Sequence, residues 1–316
     1  MQTVAARQSL SIVVVTFAGS VYLDRCLQAL LLQINVDNVE IIVVCDQSFC
    51  DVSAWQNRFP QMRFIAARGH RTFAELRALG VANAQGTIIA LTEDHCIPNP
   101  DWCERILQAH IRSYGAVGGA VEKAPPDTAL NWALYLSDYA RYMNSRSAGY
   151  SSELTDCNVS YKRSALDAIA GVWSLEFHEP AVHGALLAKG QSLWFSPDII
   201  VYQRRSARFR EAIRERYIFG RLFGSGRADA VTMPRRFFYG TISILLPALL
   251  VGRVARHVFR RQRHVGIFLR SLPALIVLNS VWACGEFVGY LTGRADTSLT
   301  PQARFANAKS RAGAIT

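Results

Sequence analysis

Four short apolar runs constrain the fold of this chain more than any other feature. They lie at residues 10–16, 40–45, 63–67 and 87–91. Each run is apolar on both faces, which is typical of a strand buried in a parallel sheet. Residues 21–34 and 73–84 carry apolar side chains at helical spacing. This order of strands and helices predicts an α/β fold with a doubly wound, mostly parallel sheet.

Polar side chains stand where three of these strands end. Thr16 ends the first run, Asp46 ends the second, and Glu93 and Asp94 follow the fourth in the stretch GTIIALTEDHC. In open α/β sheets, ligands bind outside the carboxyl ends of the strands. We therefore expect these four residues to line one ligand-binding edge of the sheet.

Two adjacent carboxylates beside His95 suit a hard divalent cation such as Mg²⁺ or Mn²⁺. Such an ion would neutralise a diphosphate and help it to leave. The alternative is that Glu93 and Asp94 are solvated loop residues, with Asp94 capping a turn. Asp46 favours the ligand site, because an aspartate at a neighbouring strand end can accept hydrogen bonds from a nucleobase or a ribose.

The positive charge of the chain is concentrated in its last third. The formal net charge is +11, and 16 arginines but only three acids lie between Arg204 and Arg270. Residues 237–252 carry no charge, and residues 271–291 carry only Glu286. Arginines that flank apolar helices suit anionic lipid headgroups better than nucleic acid. We expect C-terminal hydrophobic and basic helices that associate with a membrane, and no nucleic-acid partner.

How the apolar segments meet the membrane is left open by their lengths. Residues 237–252 would span about 24 Å as a helix, short of a ~30 Å hydrocarbon core, whereas residues 271–291 are long enough. If both segments crossed the membrane completely, the Arg253–Arg270 loop would lie on the non-cytosolic side, against the positive-inside rule. The favoured alternative is a cytosol-facing arrangement in the interface. Two complete spans, a single span and the buried helices of a soluble protein are the other three possibilities.

The compartment follows from the cysteines and the N-terminus. No two of the seven cysteines form a CxxC pair, so we expect buried thiols in a reducing compartment. The apolar run near the N-terminus is short and β-branched, as in a first strand rather than a signal peptide. A cytosolic catalytic part is therefore expected.

Taken in order, these segments resemble glycosyltransferase family 2, the inverting enzymes of the GT-A fold. The resemblance covers about residues 9–225. It rests on five stretches, SIVVVTFAGSVYLDRCLQALLLQ, EIIVVCDQSFCD, ELRALGVANAQGTIIALTEDHC, NVSYKRSAL and FHEPAVHGALLAKG.

The resemblance implies a nucleotide-sugar site at the predicted edge. Asp46 matches the second aspartate of the family's EIIVVDDxSxD segment, and Arg77 matches a basic residue near the diphosphate. Asp94 matches the last aspartate of the metal-binding DxD motif. Thr92 stands where its first aspartate is expected, so Glu93 is the candidate second contact to the metal or ribose. Thr16 completes the donor-binding set.

The catalytic base is implied by the FHEPAVHG stretch. Direct displacement at an anomeric carbon needs a group that takes the proton of the acceptor hydroxyl. Glu179 is the candidate, with Pro180 where the family usually has an aspartate. His183 or His178 would substitute or assist. The alternative is that Glu179 is a helix N-terminal acid favoured by the dipole, with both histidines on the surface.

A further stretch, IRERYIFGRLFG, is the closest to the Gln-x-x-Arg-Trp motif of processive family members. Arg216 matches its arginine, but Ile213 replaces the glutamine. Arg216 or Arg221 would therefore touch the diphosphate or the acceptor. Long-chain polymerisation is not predicted.

The expected function is metal-dependent transfer of a sugar, with inversion, from a nucleotide-diphosphate-sugar donor to an acceptor hydroxyl. The apolar C-terminal region suggests a lipid-linked or envelope glycan as the acceptor. The alternatives are a non-catalytic protein that binds membranes or polyanions, and a nucleotidyltransferase on a related fold. The expected domains are a GT-A-like domain at 1–230, a membrane-associated helical region at 231–293 and a polar tail at 294–316.

Overall fold

The computed structural model describes residues 8–16, 21–33, 38–47, 51–69, 71–228 and 231–294. The chain divides into two compact units. The first comprises Met1–Glu122 and Tyr142–Arg204, and the second comprises Lys123–Arg141 and Arg205–Thr316. The first unit holds the sheet, and the second is helical.

The described residues form nine strands and twelve α-helices. The strands are β1 Leu10–Thr16, β2 Val39–Asp46, β3 Arg63–Ala67, β4 Ile88–Glu93, β5 Cys96–Pro98, β6 Ala116–Lys123, β7 Gly149–Tyr150, β8 Asn158–Lys162 and β9 Leu193–Gln203. The helices are α1 Val21–Leu31, α2 Val52–Arg58, α3 Phe73–Asn83, α4 Trp102–Ala109, α5 Ala129–Tyr139, α6 Arg163–Asp167, α7 Ala170–Trp173, α8 Glu179–Ala188, α9 Phe209–Ala228, α10 Met233–Ile242, α11 Leu246–Arg261 and α12 Val265–Thr292.

The predicted α/β class and the four predicted strands are confirmed. The sheet order is β3-β2-β1-β4-β8-β6-β9-β5, with β7 pairing with β9. The first four strands in this order are parallel to one another. β8 then runs antiparallel to β4, and β6 antiparallel to β8. The sheet therefore continues from its predicted parallel part into an antiparallel part that the apolar runs did not predict.

The parallel strands form the centre of the core because they are apolar on both faces. Every residue of β1 is buried. Helix α3 lies close against β1 and β2 at Gly80, where an added Cβ would stand 2.3 Å from Val13 Cγ1 and 3.1 Å from Val44 Cγ2. A glycine is needed at this position for the helix to approach the sheet so closely.

The second unit contains α5 and the helices α9 to α12. Helices α9 and α12 cross at four glycines with nearly touching backbones. An added Cβ at Gly220 would stand 2.2 Å from the Trp282 carbonyl oxygen, and one at Gly285 would stand 2.2 Å from that of Tyr217. Gly224 and Gly289 make the corresponding approaches one turn further along.

Two helical stretches of the second unit are long and apolar enough, by length and composition, to cross a membrane; the first runs from α10 through α11, and the second is α12. They are Met233–Arg261, 29 residues, and Val265–Thr292, 28 residues. Each extends beyond the apolar segment predicted from the sequence. Only 17% of the most apolar stretch of the first is buried inside the protein, and 33% of that of the second.

The cysteines of the described residues form no disulfide, and five of them are buried as predicted. The exception is Cys284, which is exposed on the outward face of α12. Cys50 lies outside the described residues, as does the predicted polar tail beyond Arg294.

Candidate active site

The predicted donor residues meet at the carboxyl edge of three neighbouring parallel strands. The register places Val15 opposite Glu93 and Thr16 opposite Cys45. The Thr16 hydroxyl donates to Asp94 Oδ2 at 2.7 Å. Asp46 is fully buried and accepts the backbone N–H of Arg71 at 3.1 Å. The sheet therefore brings Thr16, Asp46, Glu93 and Asp94 together as the strand ends predicted.

Arg77 is the centre of a cluster of ionic side chains beside this edge. It projects from α3, whose N-terminus is fixed by a capping box between Thr72 and Glu75. Three carboxylates surround its buried guanidinium, and the contacts are Glu93 Oε1 at 2.5 Å, Glu179 Oε1 at 2.7 Å and Asp156 Oδ2 at 3.4 Å. Arg77 thus joins the end of β4 to the start of α8.

Burial and the charges within this cluster shift the pKa values of its members. Burial by itself would lower the pKa of Arg77, but the carboxylates of Glu179, Glu93 and Asp156 raise that pKa above its ordinary value. Burial, followed by the charge of Asp156, raises the pKa of Glu93. The cluster therefore favours the charged guanidinium, while burial favours the protonated form of Glu93.

Glu179 is the first residue of α8, with Pro180 following it in the first turn. A proline fits this position because the first helical N–H groups need no partner within the helix. Burial raises the pKa of Glu179 to about 7, against the opposing charge of Arg77. A carboxylate that titrates near neutrality is suited to general-base chemistry.

The two histidines near Glu179 differ in environment. His183 is 2% exposed, and its Nε2 lies 2.9 Å from the Tyr161 hydroxyl. Burial lowers the pKa of His183 to about 4, so its ring is neutral at neutral pH. His178 is exposed and its Nε2 lies 3.0 Å from Glu176 Oε2. The structure thus places His183 in the core and His178 at the surface.

The residues predicted to hold a metal are arranged around one imidazole. His95 Nε2 lies 3.3 Å from Glu93 Oε2, and His95 Nδ1 lies 3.3 Å from Asp94 Oδ1. Within the part of the chain that the structure describes, no three His, Cys, Asp or Glu side chains form a complete metal cage. Mg²⁺ is commonly held by one or two carboxylates with substrate phosphates and waters. The metal role of Glu93 and Asp94 stays a prediction.

Arg216 and Arg221, the predicted diphosphate or acceptor residues, make their contacts within the second unit. Arg216 forms a two-bond ion pair with Asp138, and both bonds measure 2.8 Å. Arg221 donates from Nε to the carbonyl oxygen of Arg294 at 3.1 Å. Arg216 thus holds α9 to α5, and its proposed contact with substrate stays a prediction.

Asp156 belongs to the cluster but was not predicted. It lies two residues before β8, and the register of β8 with β4 pairs Thr92 with Asn158. The sequence signal that could have identified Asp156 is its position just before β8, the strand that pairs with β4. Its contact with Arg77 joins residues 79 positions apart, which no local pattern predicts.

A solved structure and a protein-family model match this chain. A solved mannosyltransferase, PcManGT from Pyrobaculum calidifontis in complex with GDP-Man and Mn²⁺, is similar at 15% identity and a TM-score of 0.48. The match covers 98% of this chain and 81% of that one. No curated protein matches the chain. The model of glycosyl transferase family 2 matches residues 11–170, just over half of the 316 residues. The chain belongs to glycosyl transferase family 2 and is a glycosyltransferase.

Proposed function

We propose that the protein transfers a sugar, with inversion and with the help of a divalent ion, from a nucleotide-diphosphate sugar to an acceptor hydroxyl. Family membership supports sugar transfer from a nucleotide sugar. The observation that carries the finer proposal is the ion pair of Arg77 with Glu179 beside the Thr16–Asp94 edge. It holds a carboxylate of raised pKa close to residues suited to a diphosphate and its ion.

In this proposal each residue has a separate task. Thr16 and Asp46 bind the nucleotide, and Asp94 and Glu93 hold the ion. The ion would neutralise the charge that develops on the diphosphate as it leaves. Glu179 takes the proton of the acceptor hydroxyl while its oxygen bonds to the anomeric carbon. The bond from that carbon to the diphosphate oxygen breaks at the same time, and the diphosphate keeps the electron pair.

Glu179 is favoured over His183 as the base because it belongs to the ionic cluster. Arg77 contacts Glu179, Glu93 and Asp156 together, whereas His183 is directed at the Tyr161 hydroxyl in the core. Burial also lowers the pKa of His183 to about 4, so its ring is a weaker base than the Glu179 carboxylate, whose pKa is raised to about 7. We assign His183 no proton transfer.

A screen of nucleotide sugars for hydrolysis tests the proposal. The protein is incubated with each nucleotide sugar and Mg²⁺ or Mn²⁺, and the released products are identified. We expect a nucleoside diphosphate and a free sugar from at least one donor. Pyrophosphate release from a nucleoside triphosphate and a sugar phosphate would instead indicate a nucleotidyltransferase, and release of neither product would contradict the proposal.

We also propose that the second unit associates with a membrane, with the catalytic unit in the cytosol and a glycan or lipid-linked acceptor. The segment 233–249 supports this because its large apolar side chains are exposed, including Phe237 at 67%, Ile244 at 70% and Leu249 at 58%. Arg235 and Arg236 stand in the same segment. Apolar side chains beside arginines suit the boundary between acyl chains and anionic headgroups.

The contacts of Arg261, at the end of α11, favour an arrangement in which the two apolar stretches do not both cross the membrane completely. Arg261 donates to the carbonyl oxygens of Ala140 and Arg141 at 2.8 and 3.1 Å. Those two residues belong to a short segment, 123–141, that is flanked in sequence by strands of the first unit. We therefore propose that the turn between α11 and α12 does not lie across the membrane from residues 123–141.

Vesicle flotation tests the membrane proposal. The protein is mixed with neutral phosphatidylcholine vesicles or with vesicles containing phosphatidylglycerol. We expect flotation with the anionic vesicles and its loss when Phe237 and Phe238 are both changed to serine. Leu175→Ser is the matched control, because Leu175 is 85% exposed in the first unit. Equal flotation of the double variant, or loss in the control, would contradict the proposal.

A further inference from the structure

Asp156 is the most exposed carboxylate of the Arg77 cluster. Its side chain is 46% exposed, whereas those of Glu93 and Glu179 are each 11% exposed. One carboxyl oxygen faces Arg77 Nη2 at 3.4 Å, and the Thr155 hydroxyl donates to the other at 3.3 Å. Both contacts are long, so Asp156 keeps room to accept hydrogen bonds from a bound molecule.

The sheet places Asp156 on the opposite flank of β4 from the nucleotide residues. Thr16 and Asp46 end β1 and β2, on one side of β4, whereas Asp156 leads into β8 on the other side. The register of β4 with β8 ends at the pair Thr92 and Asn158, and Asp156 precedes β8 by two residues. A donor that occupies the β1 and β2 side leaves the β8 side for the second substrate.

A second, independent feature points to a ligand on this side. Glu179 is 8% exposed, and its Oε1 has no hydrogen-bond partner among the described residues. It stands 2.7 Å from Arg77 Nη1 as an ion pair, outside hydrogen-bond geometry. The charge of Arg77 offsets part of the cost of burying this oxygen, and a hydroxyl of a bound substrate would supply the hydrogen bond that it lacks.

The charge of the cluster restricts what such a substrate can be. One guanidinium faces the carboxylates of Glu93, Asp156 and Glu179. With Asp94 included, the formal negative charge still exceeds that of Arg77 and a bound divalent ion together, so a phosphate or carboxylate would add another anion to an already anionic site. Hydroxyls donate to carboxylates, and an ammonium group would be attracted to them.

We propose that Asp156 binds the acceptor, and that the reacting end of the acceptor is an uncharged or cationic polyol rather than a phosphate or a carboxylate. One hydroxyl donates to Asp156, and a neighbouring hydroxyl faces Glu179 and is the one that reacts. Glu179 receives the proton of the reacting hydroxyl, and Asp156 takes part only as a hydrogen-bond acceptor. This proposal rests on the proposed sugar transfer.

The test measures nucleoside diphosphate release from a donor that the wild type hydrolyses. Three probes are titrated as acceptors or as competitors of water: methyl glucoside, methyl glucuronide and methyl 2-amino-2-deoxyglucoside. The variants are Asp156→Asn and Asp156→Glu. Glu153→Gln is the matched control, because Glu153 carries the same charge in the same segment and is exposed. Release without any probe is measured for every protein.

We expect the neutral and amino probes to change the release rate at concentrations roughly 10-fold lower than the glucuronide does. Asp156→Asn should raise the effective concentration of the neutral probe about 10-fold through KM, measured relative to that variant's own release in water alone. Asp156→Glu should restore part of the effect, and Glu153→Gln should behave as wild type.

The proposal is overturned if the three probes act at equal concentrations or if none acts up to saturation. It is also overturned if Asp156→Asn matches the wild type, or if Glu153→Gln weakens the probes as much. Failure of the proposed function is a different result, since the wild type would then release no nucleoside diphosphate from any nucleotide sugar before a probe is added.

Discussion

Arg77 and Glu179 form an ion pair with 2.7 Å between Nη1 and Oε1, and both side chains are about nine-tenths buried. The pair connects a helix near the nucleotide edge with the first residue of another helix. The guanidinium fixes the direction of the carboxylate, while burial raises the pKa of Glu179 to about 7. The ion pair thus orients the proposed base, while burial, acting against the charge of Arg77, allows it to hold a proton near neutral pH.

The pH dependence of transfer should report this titration. Only the ionised carboxylate can take a proton, and the pKa of Glu179 is raised from 4.5 to about 7. We therefore expect kcat/KM to increase with pH and to reach half of its plateau near pH 7. A pH profile of donor hydrolysis at fixed Mn²⁺ checks this. A half-plateau near pH 4.5 would contradict the raised pKa.

Replacing Arg77 by methionine should destabilise the first unit. Glu93 and Glu179 would then be buried carboxylates without their cation, and breaking a buried pair of this kind costs about 3–5 kcal/mol. Urea unfolding followed by circular dichroism measures the loss. The exposed Arg71–Glu75 pair provides the control, because Arg71→Met should cost only about 0–1 kcal/mol. Equal losses would show that the buried cluster has no special role.

Metal dependence follows from the proposed roles of Glu93 and Asp94. We expect EDTA to abolish nucleoside diphosphate release and Mg²⁺ or Mn²⁺ to restore it. Asp94→Asn should need a higher ion concentration for half-maximal activity, by 10-fold or more. Glu104→Gln, an exposed change on α4, is the control and should behave as wild type. Full activity in EDTA would exclude a catalytic ion.

The crossing of α9 and α12 predicts opposite results for two glycines on one helix. A Cβ at Gly224 would stand 2.3 Å from the Glu286 carbonyl oxygen, so Gly224→Ala should destabilise the helical unit by about 1–3 kcal/mol. Gly226 has no atom within 4 Å of an added Cβ. Gly226→Ala should be neutral or stabilising by up to ~1 kcal/mol. Thermal unfolding of both variants in the same detergent compares them, and an equal shift would contradict the close crossing.

The parallel half of the fold could be predicted from the sequence because its signal is local. The runs at 10–16 and 87–91 are apolar on both faces, and each ends in a polar residue. The antiparallel half depends on pairings such as Thr92 with Asn158, which join distant residues. The segment 123–141 belongs to the helical unit although strands of the sheet flank it, and no local pattern indicates such an insertion.

The candidate site likewise has a part that could be predicted from the sequence and a part that could not. The meeting of Thr16, Asp46 and Asp94 at one edge of the sheet could be predicted, because the position at a strand end is itself the signal. The contacts of Arg77 with Asp156 and Glu179 could not, since they depend on how α3, β8 and α8 pack. The burial of His183 against Tyr161 also depends on tertiary packing, whereas its helical spacing from Glu179 was visible in the sequence.

The rate of nucleoside diphosphate release by Glu179→Gln, compared with that by Glu176→Gln, tests the central claim most directly. Glu176 lies three residues away, and its side chain is 52% exposed. If Glu179 takes the acceptor proton, the first change should lower kcat by about 10²–10⁴-fold, with little change in donor KM. The second should leave both constants unchanged. Near-normal turnover by Glu179→Gln, in a variant that folds and binds the donor, would contradict the account.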